Sequence, residues 1–182
     1  MPTRLVLLCA GATAASRAAR FADLAEPLDA GGRAKVRALD RAGPVAERCW
    51  VSPAAAARET AELIGLAAEE APALRDIDAG AWTGRRLDSL APEAIATWLA
   101  APEAGAPGGE SMAGVRARVG PWLDALGEGR MLAISHAAVL RAAIAHALDV
   151  PVAATMAIDV APLSAVVLSR HGRWRLQELR RD

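Results

Sequence analysis

The run Arg4-Leu5-Val6-Leu7-Leu8-Cys9 constrains the fold more than any other stretch of this chain. It is apolar, unbroken and short, and it ends at small residues around Gly11, the pattern of a strand covered on both faces. Met131-Leu132-Ala133-Ile134-Ser135 repeats the pattern and leads into a helix-forming stretch from Ala137 to Leu148. Buried strands that alternate with helices need cover on each side of their sheet. The fold expected is therefore a three-layer α/β/α sandwich with a mostly parallel sheet.

Other segments extend this pattern. A helix is expected from about Ala14 to Ala22, then a turn at Pro27, then a helix through Arg33, Val36, Arg37 and Leu39 ending near Gly43-Pro44. Cys49-Trp50-Val51 is a strand candidate, and Pro53 suits the first turn of a helix that runs from Ala54 to Ile64 and stops at Gly65. Met112, Val115, Val119, Trp122 and Leu126 recur at helical spacing, which predicts an amphipathic helix from Ser111 to Leu126, bent or split at Pro121. Ser164 to Ser169 and Trp174 to Leu179 flank Arg170-His171-Gly172-Arg173 and predict a closing hairpin. Leu74 to Gly109 mixes Trp82, Trp98 and several prolines with short helical pieces. It reads as a lid-like insertion, around residues 80–110, over the edge of an active site.

With 182 residues, 53% of them hydrophobic, the chain can bury an ordinary core in one domain spanning residues 1–182. Its formal net charge is zero and its pI near 6.8, so nothing attracts nucleic acid or an anionic membrane. The first apolar run is too short for a signal peptide and no stretch approaches a membrane span, so a soluble, cytoplasmic protein is expected. Cys9 and Cys49 are too few for a disulfide framework and too far from any histidine to suggest zinc. Reduced thiols are expected, with no metal and no cofactor. Nothing in the sequence fixes the oligomeric state.

In a sheet of this kind ligands gather beyond the carboxyl ends of the strands. Cys9 to Thr13, Val51 to Pro53 and Ser135-His136 should therefore converge. Several motifs lie in and around these positions. The first strand runs into Cys9-Ala10-Gly11-Ala12-Thr13, followed by Arg20-Phe21 and Pro27-Leu28-Asp29-Ala30-Gly31-Gly32-Arg33-Ala34. Ser52-Pro53-Ala54-Ala55-Ala56-Ala57-Arg58-Glu59-Thr60-Ala61 follows the second strand, and Leu74-Arg75-Asp76-Ile77-Asp78-Ala79-Gly80-Ala81-Trp82-Thr83-Gly84 opens the insertion. Pro107-Gly108-Gly109-Glu110-Ser111 and Ser135-His136-Ala137-Ala138-Val139-Leu140-Arg141 complete the series.

In order and spacing these motifs resemble the histidine phosphatase superfamily, which includes phosphoglycerate mutase-like and alpha-ribazole phosphatase-like proteins, along nearly the whole chain. The family's patterns are Arg-His-Gly-Glu-Thr, Pro-Leu-Thr-x-x-Gly-x-x-Gln-Ala, Ser-Ser-Pro-Leu-x-Arg-Ala-x-Gln-Thr-Ala, Leu-Arg-Glu-Ile-Asp-Phe-Gly-x-Trp-Glu-Gly, Pro-Gly-Gly-Glu-Ser and Ser-His-Gly-Gly-Val-Ile-Arg. The resemblance implies a site built from Cys9, Ala10, Gly11, Thr13, Arg20, Ala56, Asp76, Glu110, His136 and Ala137. In the family the histidine of the first motif attacks the phosphoryl group. Two arginines and a second histidine hold its oxygens, and an acid protonates the leaving group.

By that correspondence Ala10 stands at the nucleophile position, Cys9 and Ala56 replace the two arginines, His136 matches the second histidine, and Asp76 stands where a longer Glu acid is usual. Losing one pre-organised donor costs roughly 3 kcal/mol of transition-state stabilisation. Arg58 lies about 200° around the helix from Ala56 and should point away. The implied protein is a degenerate member, without phosphohistidine chemistry, that keeps a less charged pocket for a phosphorylated or neutral small molecule, or serves a protein partner. Its phosphate affinity should be weak.

Blander roles exist for the same residues. His136 can simply bond backbone groups, Asp76 can cap a turn, and Glu110-Ser111 can begin a helix. The alternative to a binding protein is a phosphomonoesterase or other hydrolase of altered mechanism, with His136 and Asp76 as acid and base and Arg17 or Arg20 supplying charge. Cys9 beside His136 is a candidate thiolate, although a buried, unreactive cysteine is the commoner case. An ordinary phosphatase of sugar phosphates or cobalamin-precursor phosphates would need a histidine near the first strand, and His136 is the first histidine in the chain.

Overall fold

The computed structural model describes residues 2–39, 46–101 and 103–181. β1 (Thr3–Cys9), β2 (Arg48–Val51), β3 (Glu69–Glu70), β4 (Gly129–Ser135), β5 (Ala165–His171) and β6 (Arg173–Arg180) form one mixed sheet in the order β3-β2-β4-β1-β5-β6. β1 pairs parallel with β4, β4 with β2, and β2 with β3, whereas β5 is antiparallel to both β1 and β6. Among these strands only β5 runs against the rest, so the sheet is mostly parallel in direction.

The helices are α1 (Ala14–Arg17), α2 (Ala30–Arg37), α3 (Ala55–Leu63), α4 (Pro92–Ala100), α5 (Met112–Asp124), α6 (Ala137–Leu148) and α7 (Val152–Thr155). On one face of the sheet Val115, Val119 and Leu123 of α5 and Leu140 and Ile144 of α6 pack against Leu5, Leu7, Met131 and Leu168. On the other, Val36 of α2 and Ala57 and Ala61 of α3 pack against Val51 and Ile134. Each buried Val, Leu, Ile or Met side chain among these stabilises the fold by about 1.5–3 kcal/mol relative to exposure. Ala79, Trp82, Leu90 and Ala106 form a third cluster, in which Trp82 and Leu90 bury against Phe21 and Trp98. Phe21 lies 5.5 Å from Trp82 and 5.9 Å from Trp98 between ring centroids, so this segment braces the chain that follows α1.

Several expectations from sequence need correction. The helix expected to reach Ala22 ends at Arg17, because Ala19 takes a left-handed φ of 48° that no helix continues through. The next helix ends at Arg37 rather than near Gly43-Pro44, which lie outside the described residues. β1 is not covered equally on both sides: Leu5, Leu7 and Cys9 are buried, Val6 and Leu8 are half-buried, and Arg4 is exposed. Pro121 does not split α5, whose apolar face stays in register against α6 on both sides of it. The hairpin turns at Gly172, where φ is 76°, so both strands run closer to the turn than composition suggested. No described helix is long and apolar enough to cross a membrane.

Candidate functional site

Strand register fixes the site. Cys9 pairs with Ser135 across β1 and β4, and Val51 pairs with Ile134 across β2 and β4, so the residues leaving all three strands emerge side by side. The Ala10 N–H donates to Ser135 O at 2.8 Å and the Ser52 N–H to Ile134 O at 2.9 Å. Beyond β1 the chain turns toward the face covered by α2, and beyond β4 toward the face covered by α6. The diverging loops leave a crevice between adjacent parallel strands, the usual place for a ligand in an open α/β sheet.

A cavity of about 190 Å³ occupies it. Cys9, Ala10, Gly11, Thr13, Ala56, Asp76, His136 and Ala137 all line it, so these eight site candidates are brought together. Arg20 and Glu110 do not line it. Arg20 Nη2 donates to Glu26 Oε1 at 3.0 Å, placing the guanidinium behind a carboxylate that does line the wall. Glu110 accepts from Arg118 Nε at 2.8 Å and Arg75 Nη2 at 3.2 Å, and this cluster braces the backbone carbonyls of Ala73 and Asp76 from outside. Ser111 caps α5 through the Gly114 N–H. Arg17 pairs with Asp29 and Arg58 with Glu70, both on exposed surface.

The wall after β1 is small and tightly held. The Gly11 N–H donates to Thr60 Oγ1 at 3.1 Å, and the Thr60 hydroxyl donates to Ala56 O at 2.7 Å, so α3 sets the loop and presents Ala56 together. A Cβ on Gly11 would lie 2.7 Å from Val36 Cγ2, and one on Gly32 would lie 2.1 Å from Ala12 O. Thr13 spends its hydroxyl on the N-terminus of α1, in a reciprocal capping box with Ser16.

The opposite wall is polar. His136 Nε2 lies 2.9 Å from Ser52 Oγ, and His136 Nδ1 lies 3.5 Å from Asp76 Oδ2. Ser52 Oγ also accepts from the Ala54 N–H at 3.2 Å. Its single proton is then best placed on His136 Nε2, an assignment that leaves the imidazole proton on Nδ1, toward Asp76. Asp76 Oδ1 accepts from the Ile77 N–H at 2.8 Å, so one carboxylate oxygen bonds the adjacent backbone while the other faces the histidine.

Three positions on or near the cavity are candidates for a nucleophile, and the structure weighs against each. Ala10 has only a methyl group. Burial, reinforced by the charge of Asp76, pushes the Cys9 thiol up to about 12, which opposes the thiolate candidate. Ser52 completes a serine, histidine, aspartate series, but it is fully buried, is not among the lining residues and has its hydroxyl engaged. The titratable pair that the cavity wall brings together is His136 and Asp76.

The charge of the walls corrects the expectation of a merely less charged pocket. Asp23, Glu26 and Asp76 line the cavity, and among the described residues no arginine or lysine does. Sequence reasoning missed Asp23 and Glu26 because the loop carrying them follows a stretch expected to be helical as far as Ala22. Ser52 and Thr60 were visible as residues following a strand end and lying on the buried face of α3, without a sequence signal for their partners. Among the described residues no group of three or more His, Cys, Asp or Glu side chains is placed to hold a metal ion.

A family model described as "Histidine phosphatase superfamily (branch 1)" matches residues 5–182. The chain belongs to this superfamily. A phosphoglycerate mutase from Thermus thermophilus is 31% identical to it, with a TM-score of 0.79 over 97% of this chain and 98% of that one. A native mycobacterial glucosyl-3-phosphoglycerate phosphatase is 26% identical, with a TM-score of 0.85 over 97% of each chain. The same mycobacterial phosphatase complexed with VO3 gives 28% identity and a TM-score of 0.85 over 96% of this chain and 97% of that one. No curated protein sequence matches the chain significantly.

Proposed function

We propose that this superfamily member has no phosphohistidine-dependent phosphatase or mutase activity and uses the cavity to bind a ligand. The observation that carries the reading is Ala10, which lines the cavity where the motif correspondence puts the attacking histidine. A methyl group can neither attack phosphorus nor donate a hydrogen bond, and a shifted register offers no substitute, because the first histidine of the chain is His136. Cys9 and Ala56, at the positions of the two arginines, remove the charge that would hold phosphoryl oxygens. Arg17 and Arg20 are engaged by Asp29 and Glu26, which supports the same reading. Free Cys9 and Cys49 thiols suit the cytoplasm, where we place the protein.

A second reading rests on His136 and Asp76, whose juxtaposition on the cavity wall would suit hydrolysis by an activated water. Turnover of a panel of phosphomonoesters separates the two. The binding reading expects none from the wild type, and recovery in an Ala10→His, Cys9→Arg, Ala56→Arg variant. Wild-type turnover that disappears in His136→Ala would favour the hydrolase.

A further inference from the structure

Resting on the reading of this cavity as a ligand site, we propose that it takes a small organic cation, an ammonium group on a compact apolar body, in place of a phosphoryl group. The walls fall into two kinds of surface. Ala10, Ala54, Ala56, Leu24, Val160 and Pro162 supply apolar contact, and the charged groups among the lining residues are carboxylates. Glu26 is neutralised by Arg20 behind it. Among the described residues no guanidinium pairs with the carboxylate of Asp23 or of Asp76, where Arg75 and Arg118 reach only the backbone oxygen of Asp76. Asp23 Oδ1 accepts only the Ala25 N–H, at 2.7 Å, and its other oxygen has no partner among the described residues. Asp76 presents Oδ2 toward His136 at 3.5 Å, too long for a strong hydrogen bond.

One carboxylate thus stands on the loop at the rim and another deeper, beside the imidazole. An oxyanion entering this space meets two negative charges and, among the described residues, no lysine or arginine on the walls, whereas an ammonium group meets favourable charge along its path. The Cys9 thiol responds to the same field. After burial, the charge of Asp76 is the largest influence raising its pKa, and it outweighs the opposing effect of Arg141, whose Nε is directed to Ile158 O at 2.9 Å. An inorganic cation is disfavoured because the described carboxylates, thiols and imidazoles do not gather into a metal-holding group. The apolar walls favour an organic body, and a volume of about 190 Å³ keeps it small.

The test titrates the full chain with methylammonium, ethanolammonium and choline, with the uncharged choline isostere 3,3-dimethylbutan-1-ol, and with inorganic phosphate, following the backbone amides of Gly11 and Ala137 by NMR. The result expected is a saturable shift with at least one ammonium compound, at least tenfold weaker binding of the isostere than of choline, and no saturable shift with phosphate. Asp76→Asn, which keeps an acceptor for the Ile77 N–H, should weaken cation binding at least fivefold. Asp23→Asn, on a surface loop, should weaken it about threefold without affecting folding. Equal binding of choline and its isostere, saturable binding of phosphate at these amides, or no saturable shift with any ammonium compound would each overturn the proposal. Phosphomonoester turnover would sink the non-catalytic reading independently of these titrations.

Discussion

The two walls of the cavity differ in what holds them together. The wall after β1, from Cys9 to Thr13 with Ala56 opposite, is held by packing and by bonds from its own backbone: the Gly11 N–H to the Thr60 hydroxyl, the Ala10 N–H to Ser135 O, and Gly32 pressed on Ala12. The wall after β4 is held by side-chain polarity: Ser52, His136 and Asp76 form a connected series, braced from behind by Arg118 and Glu110. Phosphoryl transfer through a covalent intermediate needs one nucleophile and cationic groups around the phosphoryl oxygens. Here Ala10 and Ala56 of the first wall belong to an apolar cluster with Leu28, Val36 and Ile134, while the second wall carries the polar network. The register that builds the site therefore does not depend on the polarity of the residues at its strand ends.

If packing holds the first wall, adding one methyl group there should do the most damage. Gly32→Ala puts a Cβ against the backbone oxygen of Ala12, which cannot swing away. We expect a loss of about 3 kcal/mol in urea unfolding. A near-neutral result would show that this wall is looser than its geometry implies. Thr60→Val removes the acceptor for the buried Gly11 N–H and should cost about 2 kcal/mol, whereas Thr60→Ser should remain close to wild type.

Cys9 belongs to the same wall and gives it a pH signature. Its folded-state pKa is raised from 9.0 to about 12, chiefly by burial, so the folded protein keeps a proton that the unfolded chain loses. This contribution is fully present below about pH 9 and is lost as pH rises toward 12, with a slope of up to about 1.4 kcal/mol per pH unit. Chemical denaturation of wild type and Cys9→Ala across this range should show the slope reduced in the variant. Native protein should not be alkylated at Cys9 by iodoacetamide at neutral pH, and labelling there should follow unfolding.

The smallest effect belongs to the polar wall. Ser52→Ala removes the hydroxyl between the Ala54 N–H and His136 Nε2 and should cost about 1 kcal/mol. It should also move the His136 ring nitrogen resonances, because the tautomer loses its constraint. Unmoved resonances would show that Asp76 alone orients the ring.

The strands that carry the site were legible in the sequence, because β1 and β4 are continuous apolar runs ended by small or polar residues, and burial leaves such runs few alternatives. α6 was legible for the same reason. The convergence of Ala10, Ala56, Asp76 and His136 followed from the order of motifs combined with a parallel sheet. Arg20 and Glu110 were placed on the cavity by motif alone, and the structure puts each with an oppositely charged neighbour instead, since a motif fixes a position in the chain and not the direction of a long side chain. The acidity of the pocket was hidden because Asp23 and Glu26 reach it only through the left-handed turn at Ala19. That alanine carries no sequence signal for positive φ.

Orthovanadate tests the proposal that this cavity performs no covalent phosphoryl chemistry. The mycobacterial phosphatase of similar fold has been captured with VO3. Crystals of this protein soaked with vanadate should show no vanadium in the cavity beside Ala10 and His136. A vanadium atom bonded to His136 or to Cys9 Sγ would contradict the account.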